Sequence, residues 1–200
     1  MESEWVAEVT TFWFDELGPE DWFSVKPSVD EAIRKRFLPL HESLAQAVPP
    51  VSRAVPDAAL AAIIVLDQFP RNMFRGTARA FATDPLALDL SRHAVAQGFD
   101  RGLNEHGKQF LYMPMMHSET LAVQDISVEY FTALGLEEAK RFAEEHRDII
   151  KRFGRFPHRN DVLGRQSTDE EKTYLADAES YGQTSTPAPD GTDIREDGET

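Results

Sequence analysis

Apolar residues return at every third or fourth position through most of the chain, the spacing that lines one face of an α-helix. Trp5, Val9, Phe12 and Trp13 predict a first amphipathic helix ending near Leu17-Gly18-Pro19. Ser28 reads as the N-cap of a second helix, whose stripe is Val29, Ile33, Phe37, Leu40 and Leu44. The prolines between Pro49 and Pro56 mark a loop, because each fixes φ and removes a donor. A third helix is predicted from Asp57 to Gln68, stopping before Pro70. Thr83-Asp84-Pro85 starts another, with Gly98 as its C′ residue. Pro114 begins or precedes a helix ending at Gly135, and the next runs from Leu136 to Phe153 and stops at Gly154. Thr168-Asp169-Glu170-Glu171 is a capping box opening a short last helix. No apolar–polar alternation between hairpin turns occurs. The fold class is therefore all-α, with antiparallel helical hairpins joined by short loops.

The helical pattern dissolves after residue 178. Residues 1–178 read as one domain and 179–200 as a disordered acidic tail, too poor in apolar residues to build a core. Hydrophobic residues make up 41% of the chain, enough for a packed interior. Cysteine is absent, which excludes disulfides, thiolate metal sites and a cysteine nucleophile and fits a reducing compartment. The N-terminus has neither a basic nor an apolar leader region. The longest apolar run, Ala58 to Leu66, is too short to cross a bilayer. A soluble cytoplasmic protein is expected.

Net charge changes the picture twice. At −14, the chain repels phosphate backbones, so neither nucleic acid nor an anionic membrane is an expected partner. From Arg141 to Arg165, however, seven basic residues face four acids, a local net of +3. Arginine also outnumbers lysine, and its planar fork suits carboxylate and phosphate. Composition leaves the oligomeric state open.

Two polar segments echo each other. Asp67-Gln68-Phe69-Pro70-Arg71-Asn72 runs on to Arg75-Gly76-Thr77, and Gly154-Arg155-Phe156-Pro157-His158-Arg159-Asn160 runs on to Gly164-Arg165. They are either two similar helix exits or two loops presenting guanidinium and amide groups to one cleft. Asp67 falls in register with Leu60, Ile63 and Ile64, which turns it toward the buried face. It needs a cationic partner there, either Arg71 or an arginine of the second segment. His146 shares the apolar stripe of Phe142, Ile149, Ile150 and Phe153. A histidine in that position is more often hydrogen-bonded core than a ligand. His117, Gln124 and Asp125 share a helix face and with His146 and His158 could cluster, but no zinc-ligand spacing supports a metal. No glycine-rich phosphate loop occurs, and no cofactor is expected. Phe12-Trp13-Phe14 covers more than one helix face and reads as core.

Phe12-Trp13-Phe14, Asp21-Trp22-Phe23, Leu66 through Asn72, Arg75 through Ala78 and His146 through Asn160 resemble a bacterial family catalogued as domain of unknown function 924. The resemblance runs from the first helix to about Leu175. It implies an all-helical, tetratricopeptide-repeat-like array of stacked hairpins. It implies no reaction and supplies no catalytic residue.

Three functional readings follow. In the first, the protein is a binding or interaction module. Asp67, Arg71, Asn72, Arg75 and His117 would join His146, Arg152, Arg155, His158, Arg159 and Asn160 around a small anionic metabolite or an acidic peptide. In the second, it is an enzyme acting on an anionic small molecule, with His146 or His158 as acid and base and Asp67 or Asp148 as the orienting group. That reading requires a histidine and a carboxylate in hydrogen-bond reach in an accessible pocket. In the third, the arginine-rich block only cross-links the C-terminal helices.

Overall fold

A computed structural model describes residues 4–177. All regular structure in it is helical, and no strand occurs among the described residues. The helices are α1 (Glu4–Thr11), α2 (Pro19–Trp22), α3 (Pro27–Gln46), α4 (Pro56–Ile63), α5 (Phe69–Met73), α6 (Asp84–Ala96), α7 (Glu105–Met116), α8 (Leu121–Leu134), α9 (Glu137–Phe153) and α10 (Asp169–Asp177). None is long and apolar enough to cross a membrane. The expected disordered tail and its boundary at residue 179 lie outside the described residues.

Helix α4 is the axis of the core. Its residues from Ala58 to Ile63 are all buried, and it packs against α1, α6 and α7. An all-apolar helix has no solvent face to offer, so it must be surrounded. Phe37, Phe69, Trp13 and Phe110 close the core around it, with ring centroids 4.8 Å apart for Phe37 and Phe69 and 5.3 Å for Trp13 and Phe110. From α6 to α9 each helix packs on the next.

Proline governs three departures from the expected elements. The second helix begins at Pro27 after Lys26, not after Ser28. Pro27 has no N–H to leave unpaired in a first turn, so it starts the helix without a hydroxyl cap. Pro70 does not stop the third helix. The chain passes from α4 through a π-helical turn, Ile64–Gln68, directly into α5. The turn and the missing N–H disturb the ladder, and side chains from elsewhere supply donors: the Thr83 hydroxyl donates to the Leu66 carbonyl at 2.6 Å, and His41 Nδ1 meets the Val65 carbonyl at 3.1 Å. Pro114 does not begin the helix ending at Gly135, which starts at Leu121; it lies inside the preceding helix, α7. That helix starts at Asn104, whose side chain accepts from Gly107 N at 2.8 Å. Its residues from Gln109 to Met116 are all buried, and packing on all sides offsets the lost bond.

The glycine stops hold. Gly135 and Gly154 end α8 and α9 with φ of 78° and 69°, a left-handed conformation that glycine adopts without a Cβ penalty. The capping box is formed as well: Thr168 N donates to Glu171 Oε2 at 2.7 Å, and Glu171 N donates to the Thr168 hydroxyl at 3.2 Å.

Candidate functional site

The π-helical turn places Asp67 on the inner side of its helix, where it is fully buried. Its carboxylate receives His117 Nδ1 at 2.8 Å and Gln68 Nε2 at 2.5 Å. Arg71 Nη1 lies 3.4 Å from the same carboxylate and also donates to the Asp67 carbonyl at 2.5 Å. The i, i+4 pairing survives Pro70 because the chain stays helical through it. Arg71 further grips both oxygens of Asp84, at 2.8 and 3.0 Å. Asp84 is the first residue of α6, where the helix dipole favours a carboxylate.

Arg159 of the second segment reaches this carboxylate too, with Nη1 3.1 Å from Asp84 Oδ2, while its Nη2 donates to the His117 carbonyl at 3.1 Å. The two echoing segments therefore meet, and Asp84 joins them. Phe81 lies under both guanidinium groups, 5.6 Å from Arg71 and 4.5 Å from Arg159.

Burial alone would raise the Asp67 carboxyl, but Arg71 and His117 outweigh it and hold it at about 2. The imidazoles move the other way. Burial, with Arg71 beside it, pushes His117 down despite Asp67. Burial and neighbouring positive charge hold His146 and His158 at about 3. At neutral pH an ionised carboxylate thus faces a neutral imidazole. A carboxylate only accepts, so His117 carries its proton on Nδ1, and Nε2 keeps its lone pair. Among the described residues nothing hydrogen-bonds to that Nε2.

These groups line one cavity of about 760 Å³. Arg71, Arg159, His117, His146 and His158 lie on its wall, with Asp67 one hydrogen bond behind His117. The His117 and His146 ring centroids are 6.4 Å apart, and His146 Nδ1 contacts the Phe142 carbonyl at 2.8 Å. Asn72 and Arg75 also touch the cavity, but both are tied to Asp30, at 2.8 Å for Asn72 and 2.8 and 2.9 Å for Arg75.

Other sequence candidates fall elsewhere. Arg152 pairs with Glu170 at the surface, Arg155 with Glu171, and Asn160 with Ser167 and Glu171; none lines the cavity. Asp148 is exposed beside Arg147 and orients no histidine. Gln124 caps α7 by donating to the Met116 and Ser118 carbonyls, while Asp125 is exposed. No three His, Asp or Glu residues lie close enough to hold a metal ion among the described residues. Sequence reasoning missed the bridging role of Asp84, whose only visible signal was a helix start. It also gave no site role to Trp22, Gln109, Met113 or Met116, which line the cavity.

The model of a family described as bacterial protein of unknown function (DUF924) matches residues 9–179. The chain belongs to this family. A solved structure, that of the protein of unknown function ATU0120 from Agrobacterium tumefaciens, shares 39% identity with this DUF924 chain at a TM-score of 0.83. The alignment covers 86% of this chain and 97% of the Agrobacterium protein. No curated protein matches the chain.

Proposed function

We propose that the cavity binds a small anionic molecule, with Arg159 and Arg71 as its cationic anchor. One observation carries this reading: Arg159 is a buried guanidinium with too few acceptors. Its side chain is 7% exposed, it shares Asp84 with Arg71, and its Nε meets no acceptor. Five N–H groups are served by one carboxylate oxygen and one carbonyl. Burial lowers this arginine to about 10, against the pull of Asp84. An anionic ligand would supply the missing acceptors and charge.

A second reading rests on the Asp67–His117 pair. A buried carboxylate fixing one imidazole nitrogen leaves the other as a general base beside an anchored anion. Here His117 replaces His146 and His158 in the acid–base role.

One panel tests both readings. Native mass spectrometry of the freshly purified protein identifies a retained compound, and calorimetry measures its affinity. Arg159→Gln is expected to weaken binding about 10-fold or more, the loss of a charged hydrogen bond, and Arg155→Gln to leave it unchanged. Equal affinity in all three proteins would sink the anion reading. His117→Gln is expected to bind within a few-fold of wild type and to leave the compound chemically unaltered over time. A compound that wild type also leaves unaltered removes the enzyme reading and keeps the binding one.

A further inference from the structure

The cavity is long and chemically graded. Helix α7 lines it with His106, Gln109, Met113 and Met116, at intervals of three and four along one face, and His117 follows at the helix end. From His106 to His117 the helix rises roughly 16 Å. Helix α9 supplies another wall, from Glu137 through Phe142 to His146, a rise of roughly 13 Å. The two walls meet where His117 approaches His146, beside Arg71, Arg159 and His158.

Their other ends differ in chemistry. His106, Glu137 and Glu138 are exposed, and Phe23, 57% exposed, sits beside them on the cavity wall. His106 stacks edge-on against Trp22 at 5.0 Å. Between the ends the wall is mainly apolar, made by Trp22, Met113, Met116, Ala139 and Phe142, with Gln109 among them. The Arg71 and Arg159 guanidinium groups are at the buried end and two carboxylates are at the open one, while Arg75 on the same wall is neutralised by Asp30. An anion is attracted inward and repelled at the mouth. Whatever it carries must lie along methionine and aromatic surface.

We infer that the ligand is an amphiphile, with a carboxylate or phosphate head held at Arg159 and Arg71 and an alkyl tail lying along Met113, Met116 and Phe142 toward the mouth. The inference rests on the anion reading above and adds the tail. Methionine suits this wall because its unbranched, polarisable side chain adapts to tails of varied shape. A compact polar anion would leave most of the channel filled with water against apolar walls, and a tail releases that water.

The test separates head from tail. Calorimetry measures binding of straight-chain carboxylates from acetate to decanoate, with octyl phosphate and decanol as comparators, all below their micellar concentrations. Each added methylene is expected to tighten binding about fourfold until the tail reaches the mouth. Octanoate and octyl phosphate, which share the tail, should both bind, and decanol should bind at least 10-fold more weakly than decanoate. In Arg159→Gln every carboxylate should weaken by one common factor, leaving the chain-length dependence unchanged. Affinity that does not vary with chain length while still depending on Arg159 overturns the amphiphile and spares the anion reading. Equal binding of decanol and decanoate in wild type overturns the anion reading and the amphiphile with it, even if Arg159→Gln fails to fold.

Discussion

Arg155 and Arg159 stand four residues apart in one loop and meet opposite surroundings. Arg155 donates from Nε and Nη2 to the two oxygens of Glu171, at 2.7 and 2.8 Å, and to the Gln166 carbonyl at 2.8 Å. Glu171 in turn is held at about 2, chiefly by Arg155, and caps α10 through Thr168 N. Nearby, Arg165 grips both oxygens of Glu119, whose Oε1 also receives Phe156 N at 2.7 Å. This region is a clamp: each arginine has a carboxylate of its own. Around the cavity two arginines share Asp84. Nε lacks an acceptor in both Arg159 and Arg165, but Arg165 has both Glu119 oxygens and the Phe156 carbonyl, while Arg159 has one shared carboxylate oxygen and one carbonyl. Residue type and sequence neighbourhood are alike. What separates a strut from a candidate binding group is the ratio of acceptors to buried N–H groups.

The largest expected effect comes from breaking the cavity cluster at its base. Asp67→Ala removes the carboxylate from a site with no solvent access and strands the Arg71 charge and the His117 proton. Truncating one partner of a buried ion pair costs roughly 3–5 kcal/mol, read as a lowered midpoint in urea denaturation. A loss under about 1 kcal/mol would mean the cluster is as solvated as the surface pairs, and the contrast between the regions would collapse.

The buried base of the cavity cluster was legible before the structure; the contrast between the two arginines was not. The register of Asp67 with Leu60, Ile63 and Ile64 placed it inside, and the demand for a cationic partner left Arg71 or an arginine of the second segment; the structure supplies Arg71. The pairing of His117 with Asp67 was not legible. Fifty residues separate them, and only the packing of α7 on the helix through Asp67 brings them together. Pro70 and Pro114 misled for one reason. Their local penalty is real, but a hydroxyl, an imidazole or surrounding apolar packing offsets it, and those partners come from distant parts of the chain. Asp84 was hidden because a helix-start carboxylate looks the same whether it faces solvent or two arginines. Arg152, Arg155 and Asn160 were assigned to the cavity from local charge and the echo of the two segments, which cannot say on which side of a loop a side chain finds its carboxylate.

A change of pH sharpens the comparison next. His146 and His158 are held at about 3 in the folded protein against an ordinary 6.5, and His117 is lowered as well. Below 6.5 the unfolded chain takes up protons that the folded one refuses. Stability is therefore complete above pH 6.5 and falls as pH drops toward 3, by up to about 1.4 kcal/mol per pH unit for each histidine. Asp67 adds a later loss, beginning near 3.8 and continuing toward about 2. Urea midpoints measured from pH 8 to pH 4 should fall steadily, and the double variant His146→Gln, His158→Gln should flatten most of that decline. A wild-type midpoint constant between pH 6.5 and 4.5 would show that the imidazoles are hydrated.

The smallest effect tests the clamp from its solvent side. Arg152 bonds Glu170 at 2.8 Å, but the two side chains are 52% and 63% exposed. Water screens such a pair, and holding two long side chains in one geometry costs rotamer entropy, so Arg152→Ala should change stability by less than about 1 kcal/mol. Arg155 has a buried carboxylate to satisfy, and its removal should lower the thermal midpoint more than Arg152→Ala does. Neither variant should alter ligand affinity, since neither residue lines the cavity. If Arg152→Ala destabilised as much as Arg155→Ala, the pairs with Glu170 and Glu171 would be acting as one cooperative network along α10. The clamp would then hold by shared geometry, and counting acceptors for each arginine separately would understate it.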